Sequence, residues 1–218
     1  KVELDYPLSE RAQKDNTFNR FFSEFSDQPP QVSYRKALES IDKARTDERI
    51  EGILLETSGV PNSFAKLEEV REKLSRFRDS GKFVYSYSNI LTQKGLYLAS
   101  TADSVFMQAE GLINFNGLVS QTTFFKGLLD DLGVEPYVFK IGRYKSAPEF
   151  LTRKSLSESS KEQTRKLLAN KQDQFLTGIS NGRDIPVEKL QTYIDDLNIR
   201  TAEDAVEVGL ADERLYQD

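Results

Sequence analysis

Short apolar runs alternate with amphipathic helical stretches along almost all of this 218-residue chain, and that rhythm is the tightest constraint on its fold. Gly52-Ile53-Leu54-Leu55, Phe83 to Tyr87, Val105 to Met107 and Tyr137 to Ile141 read as strands. Between them apolar residues fall at helical spacing. Tyr34, Ala37, Leu38, Ile41 and Ala44 follow Ser33 as N-cap, and Leu67, Val70, Leu74 and Phe77 precede Gly81 as a stop. Gly95 to Ser100 reads as a short helix, and Phe124 to Leu132 as another closed by Gly133. Ser157 caps a long polar helix reaching about Thr177, Asn181-Gly182 is a turn, and Pro186 at N1 opens a helix burying Val187, Leu190, Ile194 and Leu197. Thr201 to Asp204 has the spacing of a capping box before a last helix ended by Gly209. Such alternation specifies an α/β class with a mainly parallel sheet and flanking helices.

At the amino-terminal end, Val2, Leu4 and Tyr6 alternate with charged residues as a half-buried strand does. Phe18, Phe21, Phe22 and Phe25 then form an aromatic stripe at helical spacing. It either packs on the protein's own core or forms a subunit or membrane-surface contact. Pro29-Pro30 marks a loop. A chain whose first residues already alternate like a strand reads as one entered mid-protein, so a membrane anchor preceding Lys1 would lie outside it. No stretch reaches the 18 apolar residues or so that a spanning helix needs.

Composition narrows the chemistry. With 38% hydrophobic residues the composition argues against disorder, and a net charge of −5 offers nucleic acid no broad attractive field. The chain has no His and no Cys, so it cannot by itself build a Ser-His-Asp or Cys-His centre, a zinc finger or a disulfide framework. What remains is chemistry by Lys, carboxylates, hydroxyls and backbone amides. Ser-x-x-Lys occurs at Ser33/Lys36, Ser40/Lys43 and Ser63/Lys66, but the Ser-Asp-Asn and Lys-Thr-Gly elements that accompany a catalytic pair are absent. There is no Walker loop and no Gly-x-Gly-x-x-Gly, and the acidic pairs Asp130-Asp131 and Asp195-Asp196 diverge by about 100° on a helix. No cofactor and no metal is expected. The run from Phe139 to Phe150 is different: an apolar strand ends at Gly142 and Arg143 to Pro148 turns out of it. The carboxyl end of a strand in an α/β sheet is where functional groups gather, and Lys145 stands there as a candidate general base.

Ile141-Gly142-Arg143-Tyr144-Lys145-Ser146-Ala147, followed by Leu156-Ser157 and a charged helix, resembles the lysine segment of the signal peptide peptidase A (protease IV) family. Ala44 to Leu55, Phe77 to Tyr85, Tyr97 to Asp103, Gly111 to Gly127 and Ala205 to Asp212 resemble it too, in the same order, so the likeness covers nearly the whole chain. The resemblance implies a fold related to ClpP and crotonase, with ββα units wound into a spiral. It implies a serine protease acting on cleaved signal peptides, in which lysine takes the serine's proton. Long members carry two such halves in tandem, the first supplying the lysine and the second the serine and oxyanion hole.

The departures from short, self-sufficient members are those of a first half. Gln93 occupies the serine's place in Gln93-Lys94-Gly95-Leu96-Tyr97, and an amide forms no acyl-enzyme. Thr57-Ser58-Gly59-Val60-Pro61 stands where a catalytic half carries a double-glycine oxyanion loop. Ser146, beside Lys145, reads as structural. The expectation is therefore one half-domain over residues 1–218, a sheet-and-helix core to 150 and a helical part from 151. By resemblance it pairs with a second half-domain carrying the serine, assembles as a homo-oligomer, and faces the outer side of a bacterial inner membrane. The rival readings are a ClpP/crotonase-like scaffold without catalysis and a crotonase-type enzyme binding an acyl-CoA.

Overall fold

A computed structural model describes residues 2–3, 33–139 and 146–216. The chain divides into two compact units, residues 1–116 with 176–218, and residues 117–175.

The larger unit is built on a parallel sheet. Its strands are β1 (Val2–Glu3), β2 (Gly52–Glu56), β3 (Phe83–Leu91), β4 (Ser104–Ile113) and β5 (Glu213–Arg214), and they pair in sequence order, every pair parallel. A sheet that adds each strand beside the last, always in one direction, winds as a spiral, because parallel crossovers share one hand. This is the α/β, ClpP-like fold that the alternation and the resemblance call for. Along β2 the side chains alternate, Ile53 and Leu55 buried and Leu54 exposed. In β3 Val84 follows that period and lies beside Ile53, while Leu55 lies beside Ser86.

Helices α1 (Tyr34–Thr46) and α2 (Phe64–Arg78) connect the first strands. Leu67, Val70, Leu74 and Phe77 of α2 are fully buried, as their i, i+3, i+7 spacing requires. Gly81 closes that turn with φ +86°, a conformation that favours glycine. Lys82 then reaches back to the carbonyls of Ala44 (2.6 Å) and Asp47 (2.7 Å), satisfying acceptors at the end of α1. Ser33 sits at the N-cap of α1, but its side chain makes no capping bond.

Short helix α3 (Gln93–Ala99) joins β3 to β4, and α7 (Val187–Asp196) and α8 (Ala202–Glu207) precede β5. The capping box is present: Asp204 N–H donates to Thr201 Oγ1 (3.2 Å) and Thr201 N–H donates to Asp204 Oδ2 (2.8 Å). The Arg200 and Thr201 amides hold the Asp204 carboxyl below the usual carboxylate range.

Four readings need correction. Leu197 is not buried by its helix: it is the C-cap of α7, exposed and with φ 52°. Asn181-Gly182 is no turn, because α6 (Glu158–Arg183) runs through it. Gly182 lies so close to the Ser100 carbonyl that a Cβ would collide with it, so this glycine serves packing, and the chain turns at Asp184 with φ 53°. Pro186 is the N-cap, not N1, of α7. Tyr137 to Phe139 form no strand: both rings are 87% exposed and meet each other edge-on at 5.0 Å. Extended apolar sequence becomes a strand only where a neighbour completes its hydrogen bonds. Lys140 and Ile141, the rest of the alternation at Leu4 and Tyr6, and the Phe18–Phe25 stripe lie outside the described residues.

Arg71 binds three helices of the larger unit together. Its half-buried guanidinium stacks on the Tyr97 ring at 4.3 Å and donates to the carbonyls of Tyr97 and Gly178 (2.8 Å to the latter) and to Ser100 Oγ (2.6 Å). Removal from water lowers the Arg71 pKa, and the field of Tyr97 and Glu68 opposes that shift. Gly178 of α6 presses against the same Tyr97 ring, where a larger residue would collide. Replacing Arg71 by Met leaves these acceptors without their donor. Unfolding in urea should show a loss of about 3–5 kcal/mol, whereas Arg76→Met, on an exposed pair, should cost under about 1 kcal/mol.

The smaller unit holds α4 (Lys126–Asp131), α5 (Glu149–Thr152) and the first part of α6. Phe125 N–H donates to the Phe150 carbonyl (2.7 Å) and the two rings meet edge-on at 6.2 Å. Leu128, Leu132, Val134, Tyr137 and Phe139 remain exposed. Among the described residues no helix is long and apolar enough to cross a membrane, and no acidic cluster is arranged to hold a metal.

Candidate functional site

The carboxyl ends of β2 and β3 converge on the start of α3, and hydroxyls tie them together. Thr57 Oγ1 and Ser86 Oγ, both fully buried, share a hydrogen bond at 3.0 Å, and Ser58 Oγ lies 3.2 Å from Ser88 Oγ. Ser58 Oγ also accepts from Asn89 N–H at 2.9 Å, and Thr57 N–H donates to the Tyr87 carbonyl at 3.1 Å. Polar groups in a core are tolerated only when so paired. They fix the turn that follows β2, in which Gly59 has φ +66°.

Thr92 caps α3, its Oγ1 accepting from Gly95 N–H at 3.1 Å. Gly95 is buried against the Thr57 carbonyl with no room for a Cβ, so the turn after β2 and the first turn of α3 touch. Gln93 is the first residue of α3, and its Nε2 donates to Asn116 Oδ1 at 3.2 Å. Segment 57–61 and Gln93, which the sequence reading assigns to oxyanion loop and nucleophile position, are therefore brought to one place.

Gln93 offers an amide, and an amide forms no acyl-enzyme. Thr57, Ser86 and Ser88 are buried and paired, and Ser58 and Thr92 serve the turn and the helix cap. Gly59 stands without a second glycine. Lys145, the candidate base, lies outside the described residues. Ser146 is described: its carbonyl accepts from Glu149 N–H at 2.9 Å. Ser40, from a Ser-x-x-Lys pair, donates to the Lys36 carbonyl at 2.7 Å, as solvent-facing helical serines do.

Sequence reasoning missed Glu149, only 3% exposed, and Asn116. A carboxylate between Pro148 and Phe150 was the available signal for the first; nothing local marks the second.

A parallel α/β sheet whose strands pair in sequence order, flanked by helices, defines the class. The model of Peptidase family S49 matches residues 76–218, and the chain belongs to that family. It is 33% identical over 189 residues to the chloroplastic serine protease SPPA of Arabidopsis thaliana, covering 87% of this chain and 27% of that protein. It is 29% identical over 163 residues to Protease 4 of Haemophilus influenzae, covering 74% and 26%. To a putative signal peptide peptidase SppA of Enterococcus faecium it is 22% identical over 191 residues, covering 86% and 54%. The chain thus spans little more than a quarter of the length of the first two.

The contact of Gly95 with Thr57 yields a test. Gly95→Ala forces a methyl against a backbone carbonyl and should cost about 1–3 kcal/mol in urea unfolding, whereas Lys94→Ala should leave stability within about 0.5 kcal/mol.

Proposed function

We propose that this chain is the amino-terminal half-domain, residues 1–218, of a long-form signal peptide peptidase. The complete protein is a serine protease that degrades cleaved signal peptides by a Ser-Lys dyad. Lys145 is the general base, and the serine and oxyanion hole belong to a second half-domain. The observation that carries this reading is the first turn of α3, where Gln93 follows the Thr92 cap and Gly95 packs against the Thr57 carbonyl; on this reading Gln93 takes the nucleophile's place. Membership of Peptidase family S49 and the likeness to proteins named as proteases support the peptidase class. The name of the chloroplastic relative supports serine chemistry, and the greater length of the relatives leaves room for a second half.

Peptide substrate and second half are the partners this reading requires, and homo-oligomeric assembly goes with it. The exposed apolar residues of the smaller unit, among them Leu132, Tyr137 and Phe139, support such an interface. By resemblance the protein faces the outer side of a bacterial inner membrane, held by an anchor outside this chain. No cofactor takes part.

A lysine base works as the free amine, so closure of the second half over Lys145 must lower its pKa by excluding water. In the complete protein Lys145→Met keeps most of the apolar stem and should abolish peptide hydrolysis with fold and assembly intact. Lys140→Met, Lys154→Met and Lys161→Met should keep most of the rate. More than a few per cent of wild-type turnover in the Lys145 variant would refute the assignment.

A further inference from the structure

Glu149 is a carboxylate with almost no contact with water, placed at the first residue of a four-residue helix, α5. Its Oε1 accepts from Ser157 Oγ–H at 2.7 Å and its Oε2 from Ser157 N–H at 3.0 Å. With the Ser157 proton directed at Glu149, that oxygen accepts in turn from Ser160 Oγ at 2.8 Å, and Ser160 N–H points at it from 3.3 Å. Ser160 is itself 2% exposed. One carboxylate and two serines thus make a clasp between the start of α5 and the start of α6.

Capping α6 does not require it. Ser157 already presents an oxygen to the Ser160 amide, as an N-cap serine does, and removing a carboxylate from water is costly until its partners offset that. The clasp does something a cap does not: it joins two segments eight residues apart and fixes the turn before α5. In that turn Glu149 N–H is bonded to the Ser146 carbonyl, and the Thr152 N–H and Oγ1 are bonded to the Pro148 carbonyl at 3.2 and 3.1 Å. Ser146 immediately follows Lys145 in the chain.

We infer that Glu149 is a positioning residue for the base: through Ser157 it anchors to α6 the turn that begins one residue after Lys145. The inference rests on the reading of Lys145 as the general base. A base must stand within hydrogen-bond reach of the proton it takes, and a displacement of about 1 Å costs on the order of 100-fold in rate. A rigid anchor at the next residue supplies that constraint without touching substrate.

Glu149→Gln and Ser157→Ala in the complete protease test it. Glu149→Gln keeps the shape and removes the charge that accepts both Ser157 donors; Ser157→Ala keeps the amide bond and removes the hydroxyl. Both should lower kcat about 10- to 100-fold, the range that outer-shell partners of reacting groups show, with KM within about twofold. The acid limb of the pH–rate profile should also move to higher pH, because a loosened lysine is better solvated and holds its proton more tightly. If Glu149→Gln keeps kcat within twofold and leaves the acid limb in place, even with a lower melting temperature, the residue is structural only and the inference fails. Should Glu149→Gln not fold, Ser157→Ala decides by the same two readouts. Lys145→Met separates the two claims. If it retains turnover, the base assignment and this inference fall together; if it is inactive while both clasp variants are wild-type, only the clasp is wrong.

Discussion

The larger unit depends on a cation taken partly out of water. Arg71 projects from α2, lies on the Tyr97 ring at the end of α3, and donates to carbonyls of α3 and α6. A parallel sheet requires its crossover helices to be packed on it, but packing alone lets them slide. Five donors in a fixed plane fix direction as well as distance, which a lysine in the same place would not do. Because α3 also carries Gln93, the orientation that Arg71 imposes reaches the candidate site.

At the other end of α3 the constraint is one of space and hydroxyls. Thr57, Ser58, Ser86 and Ser88 are side chains that another fold would replace with aliphatic ones at these strand ends. They hold the turn after β2 in place, and Gly95 lets α3 approach its carbonyl. The result is a fixed junction between the turn after β2 and the first turn of α3, where Gln93 stands.

Strong periodicity was legible. Leu67, Val70, Leu74 and Phe77 are buried as their spacing demands, and the Thr201–Asp204 box forms with both reciprocal bonds. Polar strand ends were not. The alternation of Phe83, Tyr85 and Tyr87 ends at Tyr87, yet pairing continues through Leu91 after a register shift between Ser88 and Ile90, with Ile90 beside Leu112. Gly182 failed in the opposite direction: Asn-Gly is a turn signal in isolation, and only the nearby Ser100 carbonyl makes the glycine a packing residue inside a helix. Tyr137 to Phe139 had a strand's composition but no strand beside them among the described residues. At the candidate site, Gln93 and segment 57–61 stand out in the sequence because they depart from a known pattern, whereas Glu149 depends on Ser157 and Ser160, contacts that no local pattern announces.

The central claim is that base and nucleophile come from different halves. It is tested most directly by treating the complete protein with a serine-directed acylating probe and locating the modified residue by mass spectrometry of its peptides. The account predicts stoichiometric acylation of one serine outside these 218 residues, and none when the 218-residue chain is treated alone. Stoichiometric acylation of a serine within them would contradict it.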